Sequence, residues 1–145
     1  MPHSYTSIIV HYVFSPLGRH RINSIEKRKN LNRYICGICH NLECKVIASY
    51  VMPDHVHLLV HQPAKISIAE LAQKVKGNSS RHLNTLPDRE YRFVWQEGYG
   101  AFSCSYSQVD KVANYIKNQE EHHKKISYED EYQSLIEKHN LNTDD

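Results

Sequence analysis

The order of elements readable in the chain predicts an α+β fold, a ferredoxin-like split βαββαβ antiparallel sheet with additional C-terminal helices. Three observations predict it. A β-branched and aromatic run opens the chain, two more such runs flank Pro53-Asp54, and stretches with apolar residues at helical spacing separate the first run from the second and the third from the fourth. The 145 residues are read as a single domain spanning 1–145. A chain of this size buries roughly 70% of its unfolded surface, enough for an ordinary core.

Each element has a local reason. Residues 5–14 (Tyr-Thr-Ser-Ile-Ile-Val-His-Tyr-Val-Phe) read as a strand, ended by the turn chemistry of Ser15-Pro16-Leu17-Gly18. Asn23 or Ser24 caps a helix that carries Leu31, Ile35, Ile38 and Leu42. Residues 44–52 and 55–61 form a hairpin about Pro53-Asp54. Ser67-x-x-Glu70 is a capping box, and Ile68, Leu71, Val75 and Leu83 give the helix behind it an apolar stripe. After Pro87-Asp88 the fourth strand is expected at Tyr91–Trp95, followed by the glycine-punctuated stretch 96–100. Ser107 caps a third helix, about 107–125, with Val109, Val112 and Ile116 inward. Ser127 caps a short last helix, about 129–139, carrying Tyr132, Leu135 and Ile136. Two helices cover one sheet face; the later helices, a partner subunit or nucleic acid must cover the other.

The charge balance, 18 Lys+Arg against 16 Asp+Glu, gives +2 with histidine neutral. That excludes a histone-like polycation and confines any nucleic-acid surface to a local patch. No apolar run approaches the ~18 residues needed to span a bilayer. The start, Met-Pro-His-Ser-Tyr-Thr-Ser, lacks the basic and apolar regions of a secretory signal, so the expected compartment is the cytoplasm. There Cys36, Cys39, Cys44 and Cys104 are expected as thiols. Cys36-Gly37-Ile38-Cys39-His40 matches a haem-attachment pattern, but it sits within a helical apolar pattern and no export signal precedes it. The unusual counts are 11 His and 10 Tyr, residues suited to metal binding, base stacking and nucleophilic attack.

Chemistry concentrates in three places. In Asp54-His55-Val56-His57-Leu58-Leu59-Val60, strand alternation puts His55 and His57 on one face and Val56, Leu58 and Val60 on the other. Two imidazoles at i and i+2 can grip one metal ion, although surface histidines share the pattern. On the third helix, Tyr115, Gln119 and His122 are spaced i, i+4 and i+7 and share one stripe beside the apolar face. A packed Tyr–Gln pair at a helix edge has the same spacing. Finally, Lys65, Lys74, Lys76, Arg81, Arg89 and Arg92 lie through or beside the second helix, with Tyr91, Phe93, Trp95, Tyr99 and Phe102 nearby. Cations hold phosphates and aromatic faces stack exposed bases, while a solvated helix face beside an ordinary core has this composition too.

Three blocks, in order, carry a family resemblance. Tyr50-Val51-Met52-Pro53-Asp54-His55-Val56-His57-Leu58-Leu59 resembles the histidine–hydrophobe–histidine signature of the HUH endonuclease superfamily. Trp95-Gln96-x-Gly98-Tyr99-Gly100-Ala101-Phe102-Ser103 is similar to a block of its single-tyrosine transposases, and Tyr115-x-x-x-Gln119-x-x-His122-His123 to their nucleophile helix. Those are transposases of small bacterial insertion sequences and the related tyrosine transposases associated with repetitive palindromes. The likeness runs over roughly residues 5–135.

The resemblance implies His55, His57 and Gln119 as metal ligands and Tyr115 as a nucleophile toward a DNA phosphodiester. The products are a 5′-phosphotyrosine link and a free 3′-OH. It implies single-stranded DNA hairpins at element ends as partners, a homodimer, no membrane, and association with the nucleoid. The ion is expected to be Mg²⁺ or Mn²⁺, with Mn²⁺ the tighter because two imidazoles suit a softer ion. Candidate DNA-binding residues are Arg19, Arg21, Lys74, Lys76, Arg81, Tyr99 and His122. The turn after the first strand lacks an early lysine frequent in the family, and Arg19 and Arg21 stand in its place. His122 and His123 either contact phosphate or lend positive character to a helix C-terminus. The competing reading is a non-cleaving nucleic-acid-binding module derived from such a transposase; a metal-dependent hydrolase using water is a third.

Overall fold

A computed structural model describes residues 3–18, 21–87, 89 and 91–141. Its elements are β1 (Ile9–Phe14), α1 (Ile25–Asn41), β2 (Lys45–Val51), β3 (Val56–His61), α2 (Ile68–Thr85), β4 (Gly100–Ser103), a 3-10 turn (Tyr106–Gln108), α3 (Val109–Lys117), α4 (Gln119–His122) and α5 (Tyr128–Lys138). The sheet order is β2-β3-β1-β4 with every neighbour antiparallel, which is the expected α+β split arrangement. Ser24 and Ser67 cap α1 and α2, each accepting from the amide three residues on.

Strand alternation separates two cores. Val10, Tyr12 and Phe14 of β1 and Val56, Leu58 and Val60 of β3 pack with Leu31, Ile35, Leu71 and Val75 of α1 and α2. On the opposite face Ile9, Ala48 and Leu59 pack with Ala113 and Ile116 of α3. The later helices therefore cover the second sheet face. His11 and His57, which alternate with the first set, lie on that second face.

Two elements differ from the expectation. The fourth strand is Gly100–Ser103, not Tyr91–Trp95, whose Trp95 makes only an isolated bridge with Pro16. Phe93 and Trp95 are buried in the α1/α2 core. Their segment bonds to side chains of α2 and, around the Trp95 bridge, to the backbone of Ser15 and Leu17. Asn84 binds both the Phe93 amide (2.7 Å) and carbonyl (3.0 Å), and the Trp95 indole donates to Ser79. Gly98 then turns the chain at φ +87°, in the left-handed region, and β4 follows beside β1. The third helix, expected at about 107–125, is interrupted at Asn118 (φ −102°, ψ 25°) and divides into α3 and α4.

Candidate active site

The turn and the sheet deliver the histidines. His55 ends the hairpin turn, with its carbonyl accepting from the Met52 amide at 2.8 Å. His57 lies opposite Val13 of β1, and both imidazoles are fully buried. Each has a fixed partner on its inner nitrogen. The Asp54 carboxylate accepts from His55 Nδ1 at 2.7 Å, and His11 Nε2 lies 2.7 Å from His57 Nδ1. Such partners fix ring orientation and decide which nitrogen presents a lone pair. Tyr128 of α5 stacks on the His55 ring, centroids 4.4 Å apart.

At the centre stands Glu131, a residue of α5 that is 2% exposed. Its Oε1 accepts from His57 Nε2 at 2.8 Å and lies 3.5 Å from His55 Nε2 and 3.2 Å from His123 Nε2. Its Oε2 accepts from the Tyr115 hydroxyl and from Gln119 Nε2 (3.2 Å), and lies 3.1 Å from His122 Nε2. Burial alone would raise its carboxyl. The hydrogen bonds from His57 and Tyr115 and the nearby imidazoles outweigh that and hold it below the usual carboxylate range. Tyr115 moves the opposite way: burial, then the bond to Glu131, raises its phenol well above the ordinary value. Burial lowers His57 and His122 and takes His11 down to about 3, so these rings are neutral near neutral pH. In the metal-free site a neutral His57 that donates from Nε2 accepts at Nδ1 from His11 Nε2, and the opposite tautomer of the pair frees His57 Nε2 for a cation.

The donor set suits a cation. Ligand atoms of His55, His57, His123 and Glu131 all lie within 4.8 Å of one another. Divalent ions with bonds of about 2.1 Å separate adjacent ligands by about 3.0–3.4 Å, and the measured oxygen–nitrogen spacings are 2.8–3.5 Å. With Nδ1 committed to Asp54, His55 Nε2 faces Gln119 Oε1 at 3.0 Å and Glu131 Oε1 at 3.5 Å. A proton on that nitrogen or a bound cation satisfies the three.

Of the residues singled out in the sequence, His55, His57, Gln119, Tyr115 and His122 come together. Gln119 is fully buried, and its Nε2 reaches back to the Tyr115 carbonyl at 3.5 Å across the break in the helix. The Tyr115 hydroxyl is 3.2 Å from His122 Nε2, which places His122 in the site itself. The remaining basic candidates are dispersed. Lys74 pairs with Glu70 and Arg81 bonds Asn78, both beside a groove between α1 and α2. The Lys76 ammonium is committed to the carbonyls of Gln96 (2.8 Å) and Gly98 (2.7 Å), so it fastens the segment that leads into β4. Arg21 lies 3.7 Å from Asp54 and shares a separate hollow with Lys27 and Arg89. Tyr99 is exposed, its ring near Tyr12, and Arg19 lies outside the described residues.

Sequence reasoning missed His11, Asp54 and Glu131 as parts of the site and left His123 between a phosphate contact and a helix C-terminus. For Glu131 a signal existed: it falls within the 128/132/135 stripe of α5, a carboxylate among Tyr128, Tyr132 and Leu135. A cleft of about 580 Å³ opens onto Tyr115, His122 and Glu131 and is flanked by Phe102, Lys111 and Lys138.

The model of the family described as "Transposase IS200 like" matches residues 4–119, most of the chain and both histidine and tyrosine segments. The chain belongs to the IS200-like transposase family. Among its relatives, the transposase for insertion sequence element IS200 of Salmonella typhimurium is 26% identical over 129 residues, covering 86% of this chain and 84% of that protein. The ISDra2 transposase TnpA of Deinococcus radiodurans is 25% identical over 114 residues, 75% of this chain and 81% of that one. Two solved structures share the fold. A putative transposase from Deinococcus radiodurans superposes with TM-score 0.62 at 23% identity, covering 82% of this transposase and 96% of its own chain. A REP-associated tyrosine transposase bound to a REP hairpin gives 0.63 at 14% identity, over 85% of this chain and 73% of that one. Among the described residues no helix is long and apolar enough to cross a membrane.

Proposed function

We propose that this transposase cleaves and rejoins single-stranded DNA at hairpin-marked element ends through a covalent 5′-phosphotyrosine on Tyr115. The observation that carries the proposal is convergence. The Tyr115 hydroxyl and the Gln119 amide of the α3–α4 stretch and the His55 and His57 imidazoles of the β2–β3 hairpin come from two segments remote in sequence and meet in one buried cluster. His55, His57 and Gln119 are the residues that would hold a Mg²⁺ or Mn²⁺ ion. Such an ion, when bound, supplies positive charge to the scissile phosphate and to the charge that develops in the transition state.

The chain's own groups do the rest. Tyr115 Oη forms a bond to the scissile phosphorus, the bond from phosphorus to the 3′ oxygen breaks, and that oxygen takes up a proton from solvent water to leave as a 3′-OH. Glu131 Oε2 and His122 Nε2 are the polar atoms within reach of the Tyr115 hydroxyl and are the acceptors available for its proton. The covalent link conserves the phosphodiester's energy, so attack by a 3′-OH on the phosphotyrosine rejoins strands without a nucleoside triphosphate. Lys111 and Lys138, at the cleft that opens onto Tyr115, supply charge for the approaching backbone. A hairpin partner is supported by the hairpin-bound structure that shares the fold. The proposal includes a homodimer as the working unit, in the cytoplasm with the nucleoid as the place of action.

The test is a denaturing gel of protein incubated with Mn²⁺ and a single-stranded hairpin substrate. A protein–DNA adduct is expected from the native chain and none from Tyr115→Phe, which should remain folded. An adduct from Tyr115→Phe refutes the assignment. Hairpin binding with no adduct from either protein is the behaviour of a non-cleaving binding module.

A further inference from the structure

The trio of His55, His57 and Gln119 leaves two buried groups outside the ligand set, although both face the same point. One is the Glu131 carboxylate, whose Oε1 lies 2.8 Å from His57 Nε2. The other is His123. Its side chain is 10% exposed, its Nδ1 is committed to the Ile126 carbonyl at 2.9 Å, and among the described residues its Nε2 has no hydrogen-bond partner. A buried nitrogen left unpaired costs about 1–3 kcal/mol unless something satisfies it. This one lies 3.2 Å from Glu131 Oε1, the spacing of adjacent ligands around one ion.

We infer that His123 and Glu131 complete the site begun by His55 and His57, making a three-imidazole, one-carboxylate centre for a first-row transition-metal dication, with Glu131 bridging the ion and the nucleophile Tyr115. The inference rests on the metal-dependent reading above and revises its ligand set, with His123 and Glu131 in place of Gln119. Glu131 has two oxygens with separate tasks. Oε1 faces the three imidazoles, and Oε2 holds the Tyr115 hydroxyl and the Gln119 amide. One carboxylate would thus couple a cation's ligands to the attacking oxygen. It also makes α5 part of the catalytic apparatus, since Ser127 caps that helix and Tyr128 stacks on His55.

Ligand chemistry then decides the metal. Mg²⁺ prefers oxygen donors and keeps its water, whereas imidazole suits manganese, iron, cobalt, nickel and zinc. Three nitrogens to one carboxylate oxygen place the site in the second group. A single negative charge among the ligands leaves a bound dication with net positive charge for a phosphate oxygen.

The experiment titrates Mn²⁺ into the full-length protein and follows free Mn²⁺ by its electron paramagnetic resonance signal, with no DNA and no turnover. Tight Mn²⁺ binding by the native chain is expected, with Mg²⁺ competing at least 100-fold less well. Glu131→Gln and His123→Phe should each weaken Mn²⁺ binding by about 10- to 100-fold or more, and Tyr115→Phe should stay within about threefold. If both variants bind like the native chain while His57→Ala loses binding, the inference is overturned and the reading with Gln119 stands. If His57→Ala binds as the native chain does, or the native chain binds no Mn²⁺, both fall. Should circular dichroism show either variant unfolded, pulsed resonance on the native Mn²⁺ protein counts coordinated imidazole nitrogens. Three supports the inference, and two overturns it.

Discussion

His11 carries a pH dependence large enough to measure. The ring is 4% exposed, and burial, reinforced by neighbouring His57, lowers it to about 3 from an ordinary value near 6.5. Such a group is neutral in the folded chain and protonated in the unfolded chain between those two values. Below about 6.5 the unfolded state therefore binds the extra proton, and stability falls as pH falls. Between pH 8 and pH 5 the loss from His11 is about 2 kcal/mol, since each pKa unit is worth about 1.4 kcal/mol. His11→Gln retains a side chain able to bond His57 Nδ1 but cannot titrate. Urea unfolding at pH 8, 6.5 and 5 should show the native chain losing about 2 kcal/mol more than His11→Gln, or roughly 4–8 °C in melting temperature. Contributions from His57, which burial also lowers, are present in both proteins and cancel to first order. Equal pH slopes for the two proteins would refute the account of His11 as a buried, neutral donor to His57.

Other substitutions probe how the fold holds the site. A Cβ at Gly100 would approach Tyr132 Cε1 to 2.8 Å and the Phe102 ring to 2.9 Å. Gly100→Ala should therefore cost about 1–3 kcal/mol in chemical denaturation and weaken Mn²⁺ binding by displacing α5. Asn84→Ala leaves the Phe93 amide and carbonyl without their side-chain partner, so it should cost about 1–3 kcal/mol. Its effect on Mn²⁺ affinity should be small, because Asn84 lies on the face away from the histidines. Hydrogen exchange should speed selectively in residues 91–98 of that variant.

The fold was legible where one element buries one face with a clean period. Val56, Leu58 and Val60 announce the core side of β3, and their alternation places His57 on the other face before any coordinates exist. Ser24 and Ser67 mark both helix starts by cap chemistry alone. The fourth strand was misplaced because Tyr91–Trp95 has strand composition, yet its burial comes from packing against α2, its Phe93 amide and carbonyl are held by the Asn84 side chain, and its backbone pairing stops at one bridge to residues 15–17. Gly98 and Gly100 read as loop punctuation, whereas β4 needs the small residue at Gly100 to pass beneath Tyr132. In the site, Tyr115 and Gln119 were visible through helical spacing. His11 and Glu131 were not, because each meets His57 only through tertiary packing, at separations of 46 and 74 residues. A carboxylate in an otherwise apolar stripe was the cue that α5 carries something besides core.

The central claim is that Tyr115 becomes joined to DNA. Protein incubated with Mn²⁺ and a single-stranded hairpin substrate, then digested with protease and nuclease, can be read by tandem mass spectrometry. The account predicts a nucleotide phosphate on the peptide containing Tyr115, located on that residue. Cleaved DNA bearing free 5′-phosphate ends, with the Tyr115 peptide unmodified throughout the time course, would contradict it.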